Sequence, residues 1–109
     1  MTGDDFRAMA LALDGATEQA HMKHPDFRVQ GRVFASLLSN EERAGLNLSP
    51  GEQRELLRQH PRVFEPASGA WGRKGWTIAH LPAAPPAVVR GALLLAYANT
   101  VARTRRRRT

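Results

Sequence analysis

Apolar positions near the start of the chain repeat with a helical period. Four of them fall at positions i, i+3, i+4 and i+7: Phe6, Met9, Ala10 and Leu13. This spacing puts them on one stripe of a helix, and Asp4 and Asp5 suit its positive N-terminal end. Gly15 then acts as a stop signal. The pattern predicts a helix over residues 4–13, followed by a polar linker to about residue 23.

Short runs of aromatic and β-branched residues then predict strands. Phe27–Val29 and Val33–Leu37 are separated by three residues with glycine in the middle, a spacing typical of a hairpin. Three further segments have an extended pattern: 45–48, 63–66 and 75–81. Both faces of the last segment carry apolar side chains, so this strand is predicted to lie inside a sheet rather than at its edge.

Two more helices follow from capping signals and apolar content. Ser49 is suited to an N-cap and Pro50 to the first helical position, while Glu52 completes a capping box. This helix is predicted to end before Pro61, because the residue preceding a proline is disfavoured in a helix. A last helix is predicted over Pro86–Ala102, which is apolar on most sides.

The order of these elements predicts the fold class. Helices alternate with short strands whose hairpin spacings favour antiparallel pairing, which describes a two-layer α+β domain. A chain of 109 residues can bury its own core without a metal or a disulfide. We therefore expect a single domain over residues 1–103 and a basic arginine tail over residues 104–109.

The net charge of +6 is concentrated at the C-terminus. Four arginines form the run Arg105–Arg108, so the rest of the chain carries +2. Such a run attracts phosphate polyanions with little sequence preference. It can equally be a solvated terminus that keeps a small domain soluble, and the sequence leaves both interpretations open.

Composition excludes several classes of protein. The chain has no cysteine, which rules out disulfides and thiol chemistry. Its acidic start differs from a signal peptide. The most apolar segment, 86–102, contains Arg90 and is shorter than the roughly 20 apolar residues of a membrane span. These features predict a cytoplasmic protein without a membrane contact, and we expect a monomer because no self-complementary stripe remains.

The sequence assigns no catalytic residue, metal or cofactor. His21 and His24 have a spacing that a metal could share on a helix, but Pro25 disfavours a helix there. Asp26 is more simply interpreted as a turn residue that bonds local backbone amides. The serines have no nucleophile motif, and the glycines of 69–75 lack the spacing of a phosphate-binding loop.

The strongest candidate for a binding site is the segment 71–81, which holds both tryptophans and two adjacent cations. An indole stacks on nucleobases while cations neutralise phosphates, so Trp71, Arg73 and Lys74 could contact nucleic acid. A loop of this composition between two strands would resemble a wing. The alternative is structural: Trp76 in the core, Trp71 over the sheet edge, and the cations at a solvated hairpin tip.

Three segments together resemble the MmcQ/YjbR family of small bacterial proteins: 24–29, 32–35 and 71–81. The resemblance covers residues 4–101. It implies a curved antiparallel sheet of about five strands with three helices packed on one face, as in the CyaY-like and secretion-chaperone-like groups. Members are commonly described as DNA-binding proteins with a double wing, and no reaction is established for the family.

The chain departs from the family pattern at several places. Asp14 stands where the family usually has proline after the first helix, and Arg32 replaces the usual lysine before the second strand. Ala96 replaces the usual serine before Tyr97, which puts in doubt any role of that hydroxyl. The arginine run at 105–108 lies beyond the resemblance.

The resemblance and the cations together predict weakly sequence-specific DNA binding. The predicted contacts lie on two wings and the tail: Arg28, Arg32, Trp71, Arg73, Lys74, Arg105, Arg106, Arg107 and Arg108. The alternative is a protein-interaction or chaperone-like module without catalytic activity, whose sheet binds a partner peptide. A large exposed apolar patch around Trp71 would favour that alternative, and a face of mainly arginine and lysine would favour nucleic acid.

Overall fold

The computed structural model describes residues 1–21 and 24–108, apart from the side chains at positions 21, 39, 107 and 108. The described helices are α1 (Gly3–Leu11), α2 (Pro50–Gln59), α3 (Gly69–Arg73) and α4 (Pro86–Arg108). The described strands are β1 (Thr17–His21), β2 (His24–Val29), β3 (Arg32–Leu37), β4 (Arg43–Asn47), β5 (Phe64–Pro66) and β6 (Trp76–His80). The predicted α+β class is confirmed, with one strand and one helix more than expected in this part of the chain.

All six strands form one antiparallel sheet in the order β1-β2-β3-β4-β6-β5. β2 and β3 form the predicted hairpin, and Gln30 and Gly31 at its turn have φ angles of 54° and 79°. Two successive positive φ angles give the tight turn whose twist matches that of the flanking strands. β6 lies between β4 and β5, as its two apolar faces predict.

The polar linker expected before the first hairpin is partly wrong, because Thr17–His21 is a strand. β1 pairs along its whole length with β2, from Thr17 opposite Arg28 to His21 opposite His24. The side chains from Thr17 to Ala20 are exposed. An edge strand of this kind makes backbone hydrogen bonds without burying a core face, so its sequence carries no apolar alternation.

A bulge in β3 determines which side chains reach the core. The pairing register of β2 with β3 shifts between Phe27 and Arg28, which leaves Phe34 as an extra residue. Phe34 is fully buried, and its ring meets that of Tyr97 in α4 edge to face at 5.6 Å. Val33 consequently lies on the opposite face of the sheet.

The core lies between one face of the sheet and helices α1 and α4. Phe6 of α1 packs edge to face on Phe27, with ring centroids 5.9 Å apart. The α4 side chains buried in the core are Val89, Ala92, Leu93 and Ala96. Removing such apolar surface from water stabilises the fold by about 25 cal/mol per Å². α2 packs against β5 and β6 instead.

The capping box at the start of α2 is confirmed. The Ser49 hydroxyl accepts from the Glu52 N–H at 3.2 Å, and the Glu52 carboxylate accepts from the Ser49 N–H at 2.9 Å. We expect Ser49→Ala to lower the free energy of unfolding by about 1 kcal/mol in urea denaturation. Ser68 caps α3 without a side-chain bond, so Ser68→Ala is the control. An equal loss of unfolding free energy in the two variants would contradict the capping role of Ser49.

α4 extends to Arg108, beyond the predicted end at Ala102. Residues 104–108, which were expected to belong to a separate tail, therefore continue this helix. Arginine is a good helix former, and the buried hydroxyl of Thr104 donates to the carbonyl of Thr100 at 3.0 Å. Although α4 is the longest helix, neither it nor any other helix within residues 1–21 and 24–108 is long and apolar enough to cross a membrane.

Candidate functional site

The sheet face opposite α1 and α4 carries a groove of about 710 Å³, which we call the open-face groove. Strand pairing places three rows of residues on this face. The middle row consists of Asp26, Ser36, Gly45, Ile78 and Glu65. Asn47 and Trp76 form the row on one side of it, and Arg43 and His80 form the row on the other side. The apolar walls of the groove are formed by Val33, Leu38, Pro66, Trp71, Trp76 and Ile78. The groove is therefore largely apolar, with polar groups confined to a few positions.

Gly45 allows neighbouring side chains to come close to the floor of the open-face groove, because it has no side chain of its own. A Cβ built at Gly45 would lie 2.8 Å from the hydroxyl oxygen of Ser36 and 3.8 Å from ring atoms of Trp76. The space that a side chain at Gly45 would need is thus taken by the Ser36 hydroxyl, with the Trp76 ring close by. Sequence reasoning missed this role, since a glycine inside a strand is compatible with a bulge, a bend or a close approach.

A short helix holds Trp71 at the rim of the groove. Gly72 is buried in α3, and a Cβ there would collide with the carbonyl oxygen of Ala67. The side-chain amide of Gln53 donates to the carbonyls of Gly72 and Trp76, at 3.0 and 2.9 Å. These contacts fix α3 against α2 and β6, whereas Trp71 itself is 63% exposed.

α3 replaces the wing-like loop expected between the last two strands. Both interpretations of this segment, as a wing-like loop or as a solvated hairpin tip, placed it outside any helix, but Gly69–Arg73 is helical. Its two glycines disfavour a helix on propensity alone, so this helix depends on the packing just described. The predicted β2–β3 hairpin is present, but the wing-like loop expected around Trp71 is not. The predicted double-wing arrangement is therefore not confirmed.

The two indoles and a lysine form a cluster at this rim. The rings of Trp71 and Trp76 meet edge to face, with centroids 6.0 Å apart and an interplanar angle of 84°. The Lys74 ammonium lies 5.8 Å from the centroid of the Trp71 ring, within reach of a cation–π interaction. Trp76 is half-buried and supports Trp71, which remains accessible.

Arg28 is engaged by a carboxylate of its own strand. Its Nε and Nη2 atoms donate to the two carboxylate oxygens of Asp26 at 3.0 and 3.1 Å. This hydrogen bonding to Asp26 raises the pKa of Arg28. Asp26 is 5% exposed and lies within β2, so its interpretation as a turn residue is wrong. The charge of Arg28 is offset by Asp26 and adds little to the attraction of phosphates.

A second polar pair lies toward the other end of the groove. His80 Nε2 and Glu65 Oε1 are 2.9 Å apart. Within the described chain, no cluster of three histidine, aspartate or glutamate side chains could hold a metal ion. The His21 side chain lies outside the described residues, so its proposed pairing with His24 is not tested.

Exposed and half-buried cations gather at one end of the sheet. Asn47 pairs with Trp76 and donates to the carbonyl of Val33 at 3.3 Å, so the β2–β3 turn and the start of β6 share this end. Asn99 donates to Glu52 at 2.6 Å, which brings the C-terminal half of α4 beside the start of α2. We call the following set the basic end: Arg32, Arg73, Lys74, Arg103, Arg105 and Arg106.

A family model described as YjbR matches residues 11–99. The chain belongs to the YjbR family. The MmcQ/YjbR resemblance is thereby confirmed. A crystal structure of Deinococcus radiodurans protein DR2400, which has the family-model domain DUF419, matches with a TM-score of 0.74 and 23% identity, over 88% of this chain and 75% of that chain. This likeness supports the fold. A search of curated proteins finds no match.

The contacts predicted for this YjbR-family protein divide by their place in the fold. One group lies on α3 or directly after it: Trp71, Arg73 and Lys74. Another is exposed on the last turns of α4: Arg105 and Arg106. Arg32 lies beside the β2–β3 turn, and Arg28 is held by Asp26. The side chains of Arg107 and Arg108 lie outside the described residues. That these side chains bind nucleic acid stays a prediction.

Proposed function

We propose that this protein binds nucleic acid with little sequence preference, through the basic end and the Trp71 side chain. The observation that carries the proposal is the exposed indole of Trp71, with Lys74 over its ring and Arg73 on the same helix. Indoles stack on any base, and adjacent cations neutralise phosphates. Base stacking and phosphate neutralisation are thus available on one surface.

The distribution of ion pairs supports this proposal. The salt bridges among the described residues use Arg7, Arg28 and Arg58, and His80 contacts Glu65. Arg32, Arg73 and Lys74 take part in none of them, so their charges remain available to phosphates. Their attraction for a polyanion falls as salt rises, because binding releases counterions from the nucleic acid.

We expect the double variant Arg73→Ala/Lys74→Ala to weaken binding and to reduce its salt dependence. Removing one phosphate-binding cation lowers the slope of log K against log salt by about 0.9 on a duplex and by about 0.7 on a single strand. Removing both cations therefore lowers the slope by about 1.8 or 1.4. The affinity and the salt slope are measured by fluorescence anisotropy across a salt series, with labelled random-sequence oligonucleotides as duplex and as single strand.

The matched control removes two exposed cations from the opposite end of the molecule, as Arg62→Ala/Arg90→Ala. Arg90 lies near Met1 and Asp5, between α1 and α4, and Arg62 lies just before β5. This variant should keep the slope of the unmodified protein. Equal losses of affinity and of salt slope in the two double variants would show that only the net charge matters. If neither the duplex nor the single strand bound at low salt, the proposed function would be overturned.

A second candidate function is a protein-interaction module without catalytic activity. The apolar walls of the open-face groove favour it, since Val33, Trp76 and Ile78 present apolar surface beside the exposed Trp71. Contiguous apolar patches mark interaction sites on protein surfaces. Failure of both nucleic-acid forms to bind in the anisotropy series would promote this candidate.

A further inference from the structure

We infer that the open-face groove holds one unpaired nucleobase, so that the protein prefers single-stranded nucleic acid to a duplex. This inference rests on the proposed nucleic-acid binding and adds the form of the nucleic acid and the place of its base. The phosphates lie along the basic end, while a base passes Trp71 and enters the groove.

The exposure of Trp71 is the first argument for an unpaired base. Inside a duplex, both faces of a base are covered by its neighbours, whereas an unpaired base has free faces for an aromatic side chain. Trp71 is 63% exposed, and its position on α3 is fixed through Gly72 and Gln53. An accessible indole on a backbone held in this way can stack fully only on a base that has left the duplex.

The charges of the groove favour a neutral base over a phosphate. Asp26 and Glu65 both line the groove, where Arg28 and His80 respectively pair with them. Arg43 also lines it, in the row farthest from Trp76, and so does His24 of β2. The groove next to Trp71 therefore holds no concentration of cations, and phosphates are attracted to the basic end outside it. An uncharged base suits the interior.

The floor of the groove offers hydrogen-bonding groups for the edge of a base. The Ser36 hydroxyl lies over Gly45, since a Cβ there would come within 2.8 Å of it, and a hydroxyl can both donate and accept. Asp26 lies opposite Ser36 in the sheet, and Arg28 holds its carboxylate in place. Unpaired bases are bound by this combination of aromatic stacking and polar contacts to their edges.

The volume of the groove is sufficient for a base with its sugar. Its volume of about 710 Å³ falls within the roughly 300–1,000 Å³ of pockets that bury small ligands. A double helix, by contrast, is too wide to enter it and reaches only the rim. The duplex is therefore left with the phosphate contacts of the basic end alone.

The test compares oligonucleotides of about 15 nucleotides, as single-stranded DNA, single-stranded RNA and the DNA duplex of the same sequence, in competition anisotropy. We expect the preferred single strand to bind at least about tenfold more tightly than the duplex. One missing base–aromatic stack typically lowers affinity by about this factor. Trp71→Ala should lower single-strand affinity about tenfold and leave duplex affinity nearly unchanged. Trp71→Phe, which keeps an aromatic ring, should retain most of the affinity.

A second variant tests the groove itself without touching Trp71 or any cation. A methyl group in Gly45→Ala would come within 2.8 Å of the Ser36 hydroxyl oxygen and displace this hydroxyl from its place at the floor. Single-strand affinity should therefore fall, while its salt slope stays that of the unmodified protein. Gly91→Ala is the control, because no atom lies within 4 Å of the Cβ position at Gly91 on the exposed side of α4. It should leave both affinities unchanged.

The possible results separate the inference from the proposed function. Equal affinities for single strand and duplex, with binding that still depends on Arg73 and Lys74, would overturn the inference and leave the proposed function standing. An unchanged single-strand affinity in Gly45→Ala would also overturn it, as expected if the groove takes a peptide. No binding of any oligonucleotide would overturn both proposals.

Discussion

Phe34→Ala is expected to lower the free energy of unfolding by about 3–5 kcal/mol. The Phe34 ring is fully buried and packs edge to face on Tyr97. Tyr97 cannot move to fill the resulting cavity without losing the hydrogen bond from its hydroxyl to the carbonyl of Asp14, at 2.6 Å. Since small domains have only about 5–15 kcal/mol of stability, this single change should remove a large part of it.

Urea denaturation followed by circular dichroism measures this loss, and Trp71→Ala is the matched control. Trp71 is also a large aromatic residue, but it is mostly exposed, so its truncation should change stability by less than about 1 kcal/mol. The same control shows that Trp71→Ala is folded in the binding experiments. A loss at Phe34 no larger than that at Trp71 would contradict the position of the β3 bulge.

Gly75→Ala is expected to be destabilising by about 3 kcal/mol, from backbone strain and collision together. Gly75 has a φ of 113°, and a Cβ there would collide with the carbonyl oxygen of Leu48. Because Gly75 connects Lys74 to Trp76, relieving the collision should also displace the cluster around Trp71. Denaturation measures the first effect, and weaker binding of single-stranded oligonucleotide measures the second.

Gly69→Ala separates the two causes of this loss. Gly69 also has a positive φ, of 66°, but no atom lies within 4 Å of its Cβ position. Its replacement should therefore carry only the cost of a left-handed backbone, about 1 kcal/mol. If both variants lost the same stability, the close approach of Leu48 to Gly75 would be contradicted.

The elements that the sequence predicted correctly are those whose signals are local. Ser49 and Glu52 identify the start of α2, and Gly31 identifies the β2–β3 turn. β1 was missed because Thr17–Ala20 is exposed and pairs only through its backbone. α3 was missed because its stability comes from Gln53, a residue distant in sequence with no local signal of its own.

The candidate site was predictable in its residue types but not in its shape. Trp71 and Lys74 were identified from their composition and adjacency, and the structure brings them together. The Asp26–Arg28 pair could have been inferred, since residues two apart in a strand share a face. The open-face groove could not, because it depends on register across five strands and on the absence of a side chain at Gly45.

The most direct test of nucleic-acid binding at Trp71 is its own fluorescence. The chain has two tryptophans, so Trp76→Phe leaves Trp71 as the single tryptophan. Its emission is excited selectively over that of Tyr97 in a titration with single-stranded oligonucleotide at low salt. Stacking predicts a saturable change in Trp71 emission, with the same dissociation constant as anisotropy gives. Binding without any change in Trp71 emission, or no binding at all, would contradict the site.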